Sequence, residues 1–450
     1  MAVLTMAEVA RITGGKLLGA DVRVESVGTD SRTVELGMLF VALQGPRFDG
    51  HAYLADVAAR GGAGALVSRA QSEITLPQVV VPDTLTALQT LATAWRSRFA
   101  IPVVAVTGSC GKTTVKEMTT RILAGVGPTL ATRGNLNNHI GVPLTLLRLR
   151  PEHRFAVIEM GMNHAGELAQ LTRLARPDVA VINNARPAHL EGLGSVAAIA
   201  AAKGEILEGL SEAGVAVLNG DDDFVEQWAA RSPGRVLRFG LDAAQLDVRG
   251  TWQAHSAGGE LLVEAAQGRF PLEIPLPGRH NGANALAAAT VGLALGLSPA
   301  QIAAGLAQMP SLPGRLQWRE GRDGSRVLDD TYNANPASLE AAMQVLAGGD
   351  GFKVLVLGNM GELGPEAAAL HAAAGQTARA LGIDRLLALG DLAAHAAHTF
   401  GEGGAAYPDL EGLLAALRPL LNENARVLVK GSRSARMERV VQEITTKGTN

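Results

Sequence analysis

A strand, a glycine-containing loop and a helix follow one another around residues Thr107–Thr114, and this pattern constrains the chain more than any other feature. An apolar β-type run, Val103–Val106, precedes the loop, and a helical pattern begins near Thr114. A glycine turn between a strand and a helix brings backbone N–H groups close to a phosphate, and the helix N-terminus adds favourable polarity. The segment therefore predicts an α/β unit that binds a nucleoside triphosphate.

The loop is shorter than the common phosphate-binding loop. That pattern has a glycine five positions before the glycine that precedes the lysine, and here this position is Val106 rather than glycine. This difference argues against a typical GTPase or transport ATPase. Lysine in such a loop reaches the terminal phosphates, and the next hydroxyl reaches Mg²⁺. The predicted nucleotide contacts are Gly108, Ser109, Cys110, Gly111, Lys112, Thr113 and Thr114.

Composition narrows the class of protein. A chain of 450 residues exceeds one ordinary domain, and its length suggests about three. The net charge of −3 gives no broad basic field, so we expect no nucleic-acid partner. The single cysteine, Cys110, excludes intrachain disulfides and thiolate-cluster metal sites.

No targeting or membrane segment is expected. Charged residues interrupt the apolar stretch of Met1–Leu18, so it does not resemble a signal peptide. The sequence contains no apolar run of about 18 residues, so no membrane span is expected. The cytoplasm is therefore the expected location.

Strand and helix patterns predict an α/β protein of three domains. Residues 1–98 mix short strands and helices in a small α/β domain. Residues 99–309 alternate strands and helices as a central, doubly wound, mononucleotide-binding sheet, with a period-two antiparallel pattern over residues 246–276. The Pro/Gly-rich segment Met309–Gly314 predicts a linker. Residues 310–450 alternate again and predict a Rossmann-like domain.

Polar side chains follow the predicted central strands, and ligands bind at the carboxyl ends of strands in open α/β sheets. Glu159 ends one strand and could hold Mg²⁺ beside Thr113, or else cap the next turn. His189, in the segment after the next strand, could ligate a second cation or contact a phosphate, but a structural role is equally open. Lys203 lies on a predicted helix, and on its residue type alone it is expected to be a solvated surface lysine.

A second polar loop, Thr132–Gly141, holds Asn135, Asn137 and Asn138. Amides are costly to bury without partners. A polar ligand such as a peptide or sugar phosphate would satisfy them, and an amide-rich surface loop is the alternative.

Three further residues are expected to act between domains. Asn281 lies near the start of an Ala-rich helix, Arg315 follows the predicted linker, and Asp330 ends a strand of the last domain. The planar fork of arginine suits phosphate oxygens, and an acidic residue at a strand end can bond a ribose hydroxyl. The alternative for Asp330 is a helix-capping turn, and Ser338 is expected to cap a helix in either case.

Taken in order, these motifs resemble the Mur ligase family, the ATP-dependent amide-forming enzymes of peptidoglycan synthesis. The match covers nearly the whole chain. The block Asp329–Ser338, the stretch Thr132–Thr145 and the segment Leu357–Gly364 resemble the family member that adds D-alanyl-D-alanine. An Asp-Asn-Pro-Arg box, typical of the member that adds diaminopimelate or lysine, is absent from the sequence.

The resemblance implies three bound substrates. The first domain would bind the UDP end of UDP-N-acetylmuramoyl-tripeptide, the central domain ATP, and the last domain D-alanyl-D-alanine. The implied UDP-substrate contacts are Ser31, Arg32, Gly45, Phe48, Asp49, Gly50 and His51, together with Asn135, Asn137 and Asn138. The implied dipeptide contacts are Tyr332, Asn333, Asn335 and Ser338, and Asn281, Arg315 and Asp330 would contact ATP.

The resemblance also implies the chemistry. ATP would convert the tripeptide carboxylate into an acyl phosphate, with two Mg²⁺ ions neutralising the reacting groups. The helix lysine of this family is carbamylated, so Lys203 would present a carboxylate to the second ion. The implied metal shell is Thr113, Glu159, His189 and carbamylated Lys203, and the implied catalytic residues are Lys112, Lys203, His189 and Arg315.

Two other functions stay open at this point. Folylpolyglutamate synthase, of the same superfamily, shares the short loop and the modified lysine, but it places the loop near its start, whereas a long unit precedes the loop here. A nucleotide-dependent switch protein would use hydrolysis only to change conformation. The two dense polar loops favour further substrates instead. The small net charge is compatible with a monomer.

Overall fold

Residues 4–96 form a small α/β domain in the computed structural model, which describes residues 4–187, 190–255 and 258–446. Its strands are β1 (Leu4–Thr5), β2 (Lys16–Leu18), β3 (Arg23–Val24), β4 (Ser26–Gly28), β5 (Met38–Val41), β6 (Gln44–Gly45), β7 (Phe48–Asp49), β8 (Gly64–Val67) and β9 (Gln78–Val80). Its helices are α1 (Met6–Thr13), α2 (Leu54–Ala59) and α3 (Thr84–Arg96). The main sheet has the order β2-β9-β8-β5-β4, and only β2 runs antiparallel to its neighbour.

Helix α3 joins this domain to the next one. Asp83 caps its start by accepting a hydrogen bond from the Thr86 N–H at 2.6 Å. Near its end, the Trp95 indole donates to the Leu149 carbonyl at 3.2 Å, and Arg96 Nε donates to the Ala175 carbonyl at 2.9 Å. One apolar core continues from the first domain into the central domain, so the two domains share buried surface.

The central domain is built on a sheet of nine strands. Its strands are β10 (Val103–Thr107), β11 (Thr129–Ala131), β12 (Phe155–Glu159), β13 (Val179–Ile182), β14 (Val215–Asn219), β15 (Arg235–Gly240), β16 (Val248–His255), β17 (Gly258–Ala265) and β18 (Gly268–Ile274). Its helices are α4 (Lys112–Ala124), α5 (Gly141–Leu146), α6 (Glu167–Ala175), α7 (Leu190–Leu193), α8 (Val196–Gly204), α9 (Val225–Ala229), α10 (Arg279–Ala294) and α11 (Pro299–Ala307). The order is β11-β12-β10-β13-β14-β15-β16-β17-β18, parallel as far as β16 and antiparallel beyond it.

The last domain carries a six-stranded sheet. Its strands are β19 (Gln317–Glu320), β20 (Arg326–Asp330), β21 (Phe352–Gly358), β22 (Arg385–Leu389), β23 (Gly404–Tyr407) and β24 (Ala425–Lys430). Its helices are α12 (Pro336–Ala347), α13 (Ala367–Ala380), α14 (Asp391–Phe400), α15 (Leu410–Leu417) and α16 (Glu438–Ile444). The order is β19-β20-β24-β21-β22-β23, and apolar clusters cover both faces.

The strand order places the nucleotide loop at a crevice. Strand β10 lies between β12 and β13, so the chain leaves β10 toward one side of the sheet and continues on its other side at β13. Ligands of open α/β sheets bind at such a reversal of strand order. The polar residues that follow β10, β12 and β13 therefore meet at one edge.

The predicted three-domain α/β class is confirmed, with its antiparallel strands over residues 248–274. The domain limits at residues 98 and 309 stay predictions. Helix α10 begins at Arg279, so Asn281 lies inside its first turn. Among the described residues, no helix has both the length and the apolar character needed to cross a membrane.

Candidate active site

The glycine turn of the phosphate loop is held against a buried pair of amides. Gly111 has φ 78°, and a Cβ there would lie 2.3 Å from Asn284 Oδ1 and 2.5 Å from Asn183 Nδ2. Only glycine fits this position, because both the conformation and the space exclude a side chain. The turn leads directly into α4, whose first N–H groups have no acceptor within the helix.

A relay of hydrogen-bonded amide side chains, running from Asn183 through Asn284 to Asn281, holds this turn in place. Asn183 donates to the Cys110 carbonyl and to Asn284 Oδ1, both at 2.9 Å. Asn284 donates to Asn281 Oδ1 at 3.2 Å, and Asn281 donates to the Pro277 carbonyl at 2.8 Å. Both ends of the Asn281 side chain are thus engaged inside the protein. Its contact with ATP stays a prediction, and its observed position supports the loop.

The segment after β13 is hydrogen-bonded to the phosphate loop. Ser109 Oγ donates to the Arg186 carbonyl at 2.9 Å, and the Cys110 N–H donates to Asn184 Oδ1 at 2.9 Å. The Ser109 N–H donates to the Asn184 carbonyl at 3.0 Å. Because these two N–H groups are engaged by the protein, the first turn of α4 presents the N–H groups best placed for a phosphate.

Lys112 folds back over the loop. Its Nζ donates to the Gly108 carbonyl at 2.7 Å. Burial lowers the pKa of the Lys112 ammonium, and the nearby negative charge of Glu159 partly opposes that shift. The cation therefore lies in a partly desolvated place where an anionic phosphate would stabilise its charged form.

Glu159 carries the clearest sign of a missing partner. The residue is 2% exposed, and its Oε1 accepts from Asn137 Nδ2 at 2.8 Å. Its Oε2 is buried and has no hydrogen-bond partner among the described residues. Buried carboxylate oxygens are normally satisfied, and carboxylate oxygens are the ligands that Mg²⁺ prefers. The position therefore fits the metal role predicted for Glu159.

Lys203 is buried, so its interpretation as a surface lysine is wrong. The side chain is 1% exposed near the end of α8, and it makes no hydrogen bond or ion pair with a described residue. Burial first, and then the charge of Lys112, hold the pKa of the Lys203 amine well below its ordinary value. A neutral amine is the form that reacts with CO₂, so the environment is compatible with a carbamate.

His189 lies outside the described residues, and its predicted metal and catalytic roles stay predictions. Within the described ranges, no three or more His, Cys, Asp and Glu side chains group into a metal site. Of the predicted metal ligands Thr113, Glu159, His189 and Lys203, Glu159 has a carboxylate of its own, and a carbamate on Lys203 would add a second.

Two residues of the last domain reach the phosphate loop. Arg315 Nη2 donates to Thr113 Oγ1 at 3.0 Å, and its guanidinium lies 4.1 Å from the ring centroid of Tyr332. Asn335 contacts the Cys110 thiol at 3.3 Å. Stacking on an aromatic ring holds the guanidinium in a defined plane. The arrangement brings predicted ATP and dipeptide residues together with the loop.

Asp330 is buried in a charged cluster between two domains. Its Oδ2 pairs with Lys430 Nζ at 2.5 Å, and its Oδ1 accepts from the Leu316 N–H at 3.1 Å. Burial lowers the pKa of His280 to about 4, while the charge of Asp330 opposes that shift. Because both Asp330 oxygens already have partners, a ribose hydroxyl would have to share one of them, and that contact stays a prediction.

The predicted dipeptide residues lie just before α12 and in its first turn. Asn335 is the helix cap rather than Ser338, since Asn335 Oδ1 accepts from the Ser338 N–H at 2.8 Å and Ser338 Oγ accepts from the Asn335 N–H at 3.1 Å. Asn333 is exposed, and its Oδ1 accepts from the Ala334 N–H at 2.9 Å. Asn335 therefore caps the helix in place of the predicted Ser338, and the contacts of these residues with a dipeptide stay predictions.

Two amide side chains of loop Thr132–Gly141 make hydrogen bonds inside the protein. Asn137 bonds Glu159, as described above. Asn138 Oδ1 accepts from the N–H groups of Ile140 and Gly141, at 3.2 and 2.9 Å, and so supports the start of α5. Asn135 is exposed beside them. Only part of this loop is thus committed to local structure, and the rest faces outward.

The first domain presents two tight ion pairs where UDP contacts are predicted. Asp30 accepts from the Arg32 side chain at 2.7 and 2.9 Å, and this pairing lowers the pKa of Asp30 to about 2. Asp49 accepts from Arg69 at 2.5 Å, and this bond lowers the pKa of Asp49 below its usual range. His51 also donates to Asp49 through Nδ1 at 2.6 Å, because His51 Nε2 accepts from the Ser68 N–H at 2.9 Å.

The other predicted UDP contacts surround these pairs. Phe48 is 56% exposed, and a Cβ on Gly45 would lie 2.5 Å from the Phe48 ring. A Cβ on Gly50 would lie 2.9 Å from Ala42 Cα, so the backbones approach closely there. Ser31 begins a short 3-10 turn capped by Asp30. The exposed Phe48 ring and the charged pairs suit a nucleoside diphosphate such as UDP, but these contacts stay predictions.

Asn284 and Lys116 were not among the predicted site residues. The spacing of Asn281 and Asn284 on one face of α10 could have indicated the first, because residues three apart are neighbours on a helix. Lys116 lies one turn after Lys112 on α4 and is 1% exposed. No sequence pattern separates it from a surface lysine.

Alkylation of Cys110 is expected to inactivate the protein. Its thiol touches Asn335, so a bulky adduct would separate the loop from the last domain. We expect N-ethylmaleimide to lower ATP turnover by about tenfold or more, and Cys110→Ala to keep turnover within about threefold and to resist the reagent. Equal inactivation of both proteins would place the sensitive group elsewhere, and ATP should slow the reaction of the unsubstituted protein.

Each of the three domains matches a known protein family. Residues 23–96 match the family described as Mur ligase family, catalytic domain, residues 106–292 match the Mur ligase middle domain, and residues 314–433 match the Mur ligase, glutamate ligase domain. The chain is 47% identical over 453 residues to the UDP-N-acetylmuramoyl-tripeptide–D-alanyl-D-alanine ligase of Escherichia coli strain K12, with 100% of both chains covered.

Solved structures agree with the sequence comparison. A crystal structure of MurF from Acinetobacter baumannii matches with a TM-score of 0.92 at 36% identity, covering 98% of each chain. The MurF ligase of Thermotoga maritima, solved in complex with ADP, matches with a TM-score of 0.83 at 28% identity, covering 93% of this chain and 96% of that one. Since identity of this level extends over all three domains, the chain belongs to the Mur ligase family.

Proposed function

We propose that the chain is an ATP-dependent ligase that joins D-alanyl-D-alanine to UDP-N-acetylmuramoyl-tripeptide and forms the pentapeptide precursor of peptidoglycan. The observation that carries the proposal is the full-length similarity to ligases of that name. The site supports it, because the phosphate loop, the unpartnered oxygen of Glu159 and Arg315 of the last domain meet at one place. The cytoplasm is the proposed location, and a monomer stays a prediction.

The residues present fit two divalent cations. Thr113 Oγ1, Glu159 and a carbamate on Lys203 would supply oxygen ligands, with His189 as the further predicted ligand. The buried, unpartnered Glu159 Oε2 and the lowered pKa of the buried Lys203 amine support this set. When bound, the cations would neutralise charge on the transferring phosphoryl group and on the attacking carboxylate.

The reaction begins with an attack that the loop residues arrange. A carboxylate is a poor acyl donor, because its leaving group would be oxide. One oxygen of the tripeptide carboxylate attacks the γ-phosphorus of ATP, the bond to the bridging oxygen of ADP breaks, and an acyl phosphate forms. Lys112 and Arg315 would face the charge on the phosphate oxygens, where preorganised donors contribute most.

The second step forms the amide. The neutral amine of D-alanyl-D-alanine attacks the acyl carbon, the nitrogen loses a proton, and phosphate leaves with the bridging oxygen. Water would compete for the acyl phosphate, so the last domain must cover the site. The contacts of Arg315 with Thr113 and of Asn335 with Cys110 support such a closed arrangement.

Substrate dependence of phosphate release tests the proposal. We expect release from ATP and Mg²⁺ only when UDP-N-acetylmuramoyl-tripeptide and D-alanyl-D-alanine are both present, with a pentapeptide product detected by mass. Release with ATP alone would identify a switch protein instead. Activity only with a folate and glutamate would move the function to folylpolyglutamate synthesis.

A further inference from the structure

Helix α4 carries a second buried lysine on the face of Lys112. Lys116 lies four residues later, so its side chain follows the same face one turn further from the phosphate loop. It is 1% exposed, and its Nζ donates to the Thr132 carbonyl at 3.0 Å and pairs with Glu117. The mechanism proposed above makes no use of this buried cation.

The acceptor of Lys116 is the first residue of the amide-rich loop. Thr132 is 2% exposed, and its Oγ1 accepts from the Glu159 N–H at 3.0 Å. Five residues later, Asn137 bonds Glu159 Oε1 at 2.8 Å, and its carbonyl accepts from the Gly161 N–H at 2.9 Å. The loop is thus held at two points on the end of β12, and Lys116 secures the first of them to α4.

We propose that Lys116 is a positioning residue that holds loop Thr132–Gly141 against the phosphate-loop helix, so that the acyl substrate meets the γ-phosphate in line. This inference rests on the proposed function, because it takes the loop to contact the UDP-linked peptide. Lys116 acts through Thr132 and contacts no reacting atom itself.

The structure predicts which of the two substrates needs Lys116 for tight binding. The phosphate loop is fixed by the separate amide relay of Asn183 and Asn284, which does not involve Lys116. The start of loop Thr132–Gly141, by contrast, would lose a charged hydrogen bond to the Thr132 carbonyl. Such bonds are worth enough to change an affinity by about tenfold. Binding of the UDP-linked peptide should therefore weaken while binding of ATP does not.

Steady-state kinetics of Lys116→Met test the proposal. We expect the KM for UDP-N-acetylmuramoyl-tripeptide to rise by about tenfold or more and the KM for ATP to stay within about twofold. Calorimetric titration of the same substrate should show the same loss of affinity without turnover. Thr120→Val is the matched control, because among the described residues the Thr120 hydroxyl bonds the Lys116 backbone carbonyl alone, on the same helix, and it should leave both KM values unchanged.

A second variant covers the risk that Lys116→Met misfolds with Glu117 left unpaired. Glu117 is partly exposed, and replacing both members of the ion pair also removes the unpaired charge that the single substitution leaves, so K116M/E117M should fold and show the same selective rise. The proposal is overturned if either folded variant keeps the original KM for the UDP-linked peptide, or if both KM values rise together. A protein that forms no pentapeptide before any substitution would instead contradict the proposed function.

Discussion

Substituting Lys112 by methionine is expected to lower kcat for ADP formation by about 10²–10³-fold, the typical effect of removing one preorganised donor from developing charge. Lys112 Nζ lies at the mouth of the loop, bonded to the Gly108 carbonyl, and can turn toward a γ-phosphate from there. Because burial lowers the pKa of its ammonium, methionine at this position removes a desolvated charge and should not unfold the protein. The measurement is single-turnover ADP formation at saturating substrates.

An exposed lysine supplies the control for this prediction. Lys16 lies on the first-domain strand β2 and is exposed, so Lys16→Met should retain full activity. The KM for the UDP-linked peptide should change little in Lys112→Met, since the predicted UDP-substrate contacts, in the first domain and in loop Thr132–Gly141, do not include Lys112. Undiminished ADP formation in Lys112→Met would remove the assignment of the phosphate loop.

Substituting Lys203 by alanine is expected to reduce ligation nearly to background, by about 10²-fold or more, because a metal-ligating carboxylate would be lost. Small carboxylic acids such as acetate should restore part of the rate by entering the space left by the side chain. Incubation of the unsubstituted enzyme with ¹³C-labelled CO₂ should give a carbamate carbon signal that Lys203→Ala lacks. Full activity without added acid, or the same signal in both proteins, would contradict the carbamate.

The lowered pKa of Lys203 determines how the carbamate signal should change with pH. Its pKa is well below the ordinary lysine value, so the amine remains neutral at lower pH than an exposed lysine would. As pH falls through that lowered pKa, the amine protonates and can no longer react with CO₂. The ¹³C carbamate signal should therefore decline on the acidic side. An unchanged signal across that range would argue against Lys203 as its source.

Local patterns in the sequence were enough to predict the phosphate loop and most strands. The loop after β10 and the carboxylate that ends β12 both follow apolar runs of strand length, and such runs are visible without a structure. The short strands of the first domain were less accurately bounded. Strands β3 and β4 span only two and three residues, and pairing this short leaves almost no periodic signal in the sequence.

Burial of single side chains was not predictable in the same way. Lys203 and Lys116 each lie on a helix among residues that also suit a surface, and only tertiary packing encloses them. The amides of Asn281 and Asn335 are predicted to contact ligands, and this stays a prediction; the structure shows that they also serve the relay and the cap of α12. Amides serve both tasks equally well, so residue type cannot distinguish a ligand contact from an internal bond.

The acyl phosphate can be tested by the fate of one oxygen atom. UDP-N-acetylmuramoyl-tripeptide labelled with ¹⁸O in its terminal carboxylate is converted with ATP and D-alanyl-D-alanine, and the released phosphate is analysed by mass. If a carboxylate oxygen attacks the γ-phosphorus and leaves with it, one labelled oxygen will be found in each phosphate formed from doubly labelled substrate. Pentapeptide formed with unlabelled phosphate would contradict an acyl phosphate on the path.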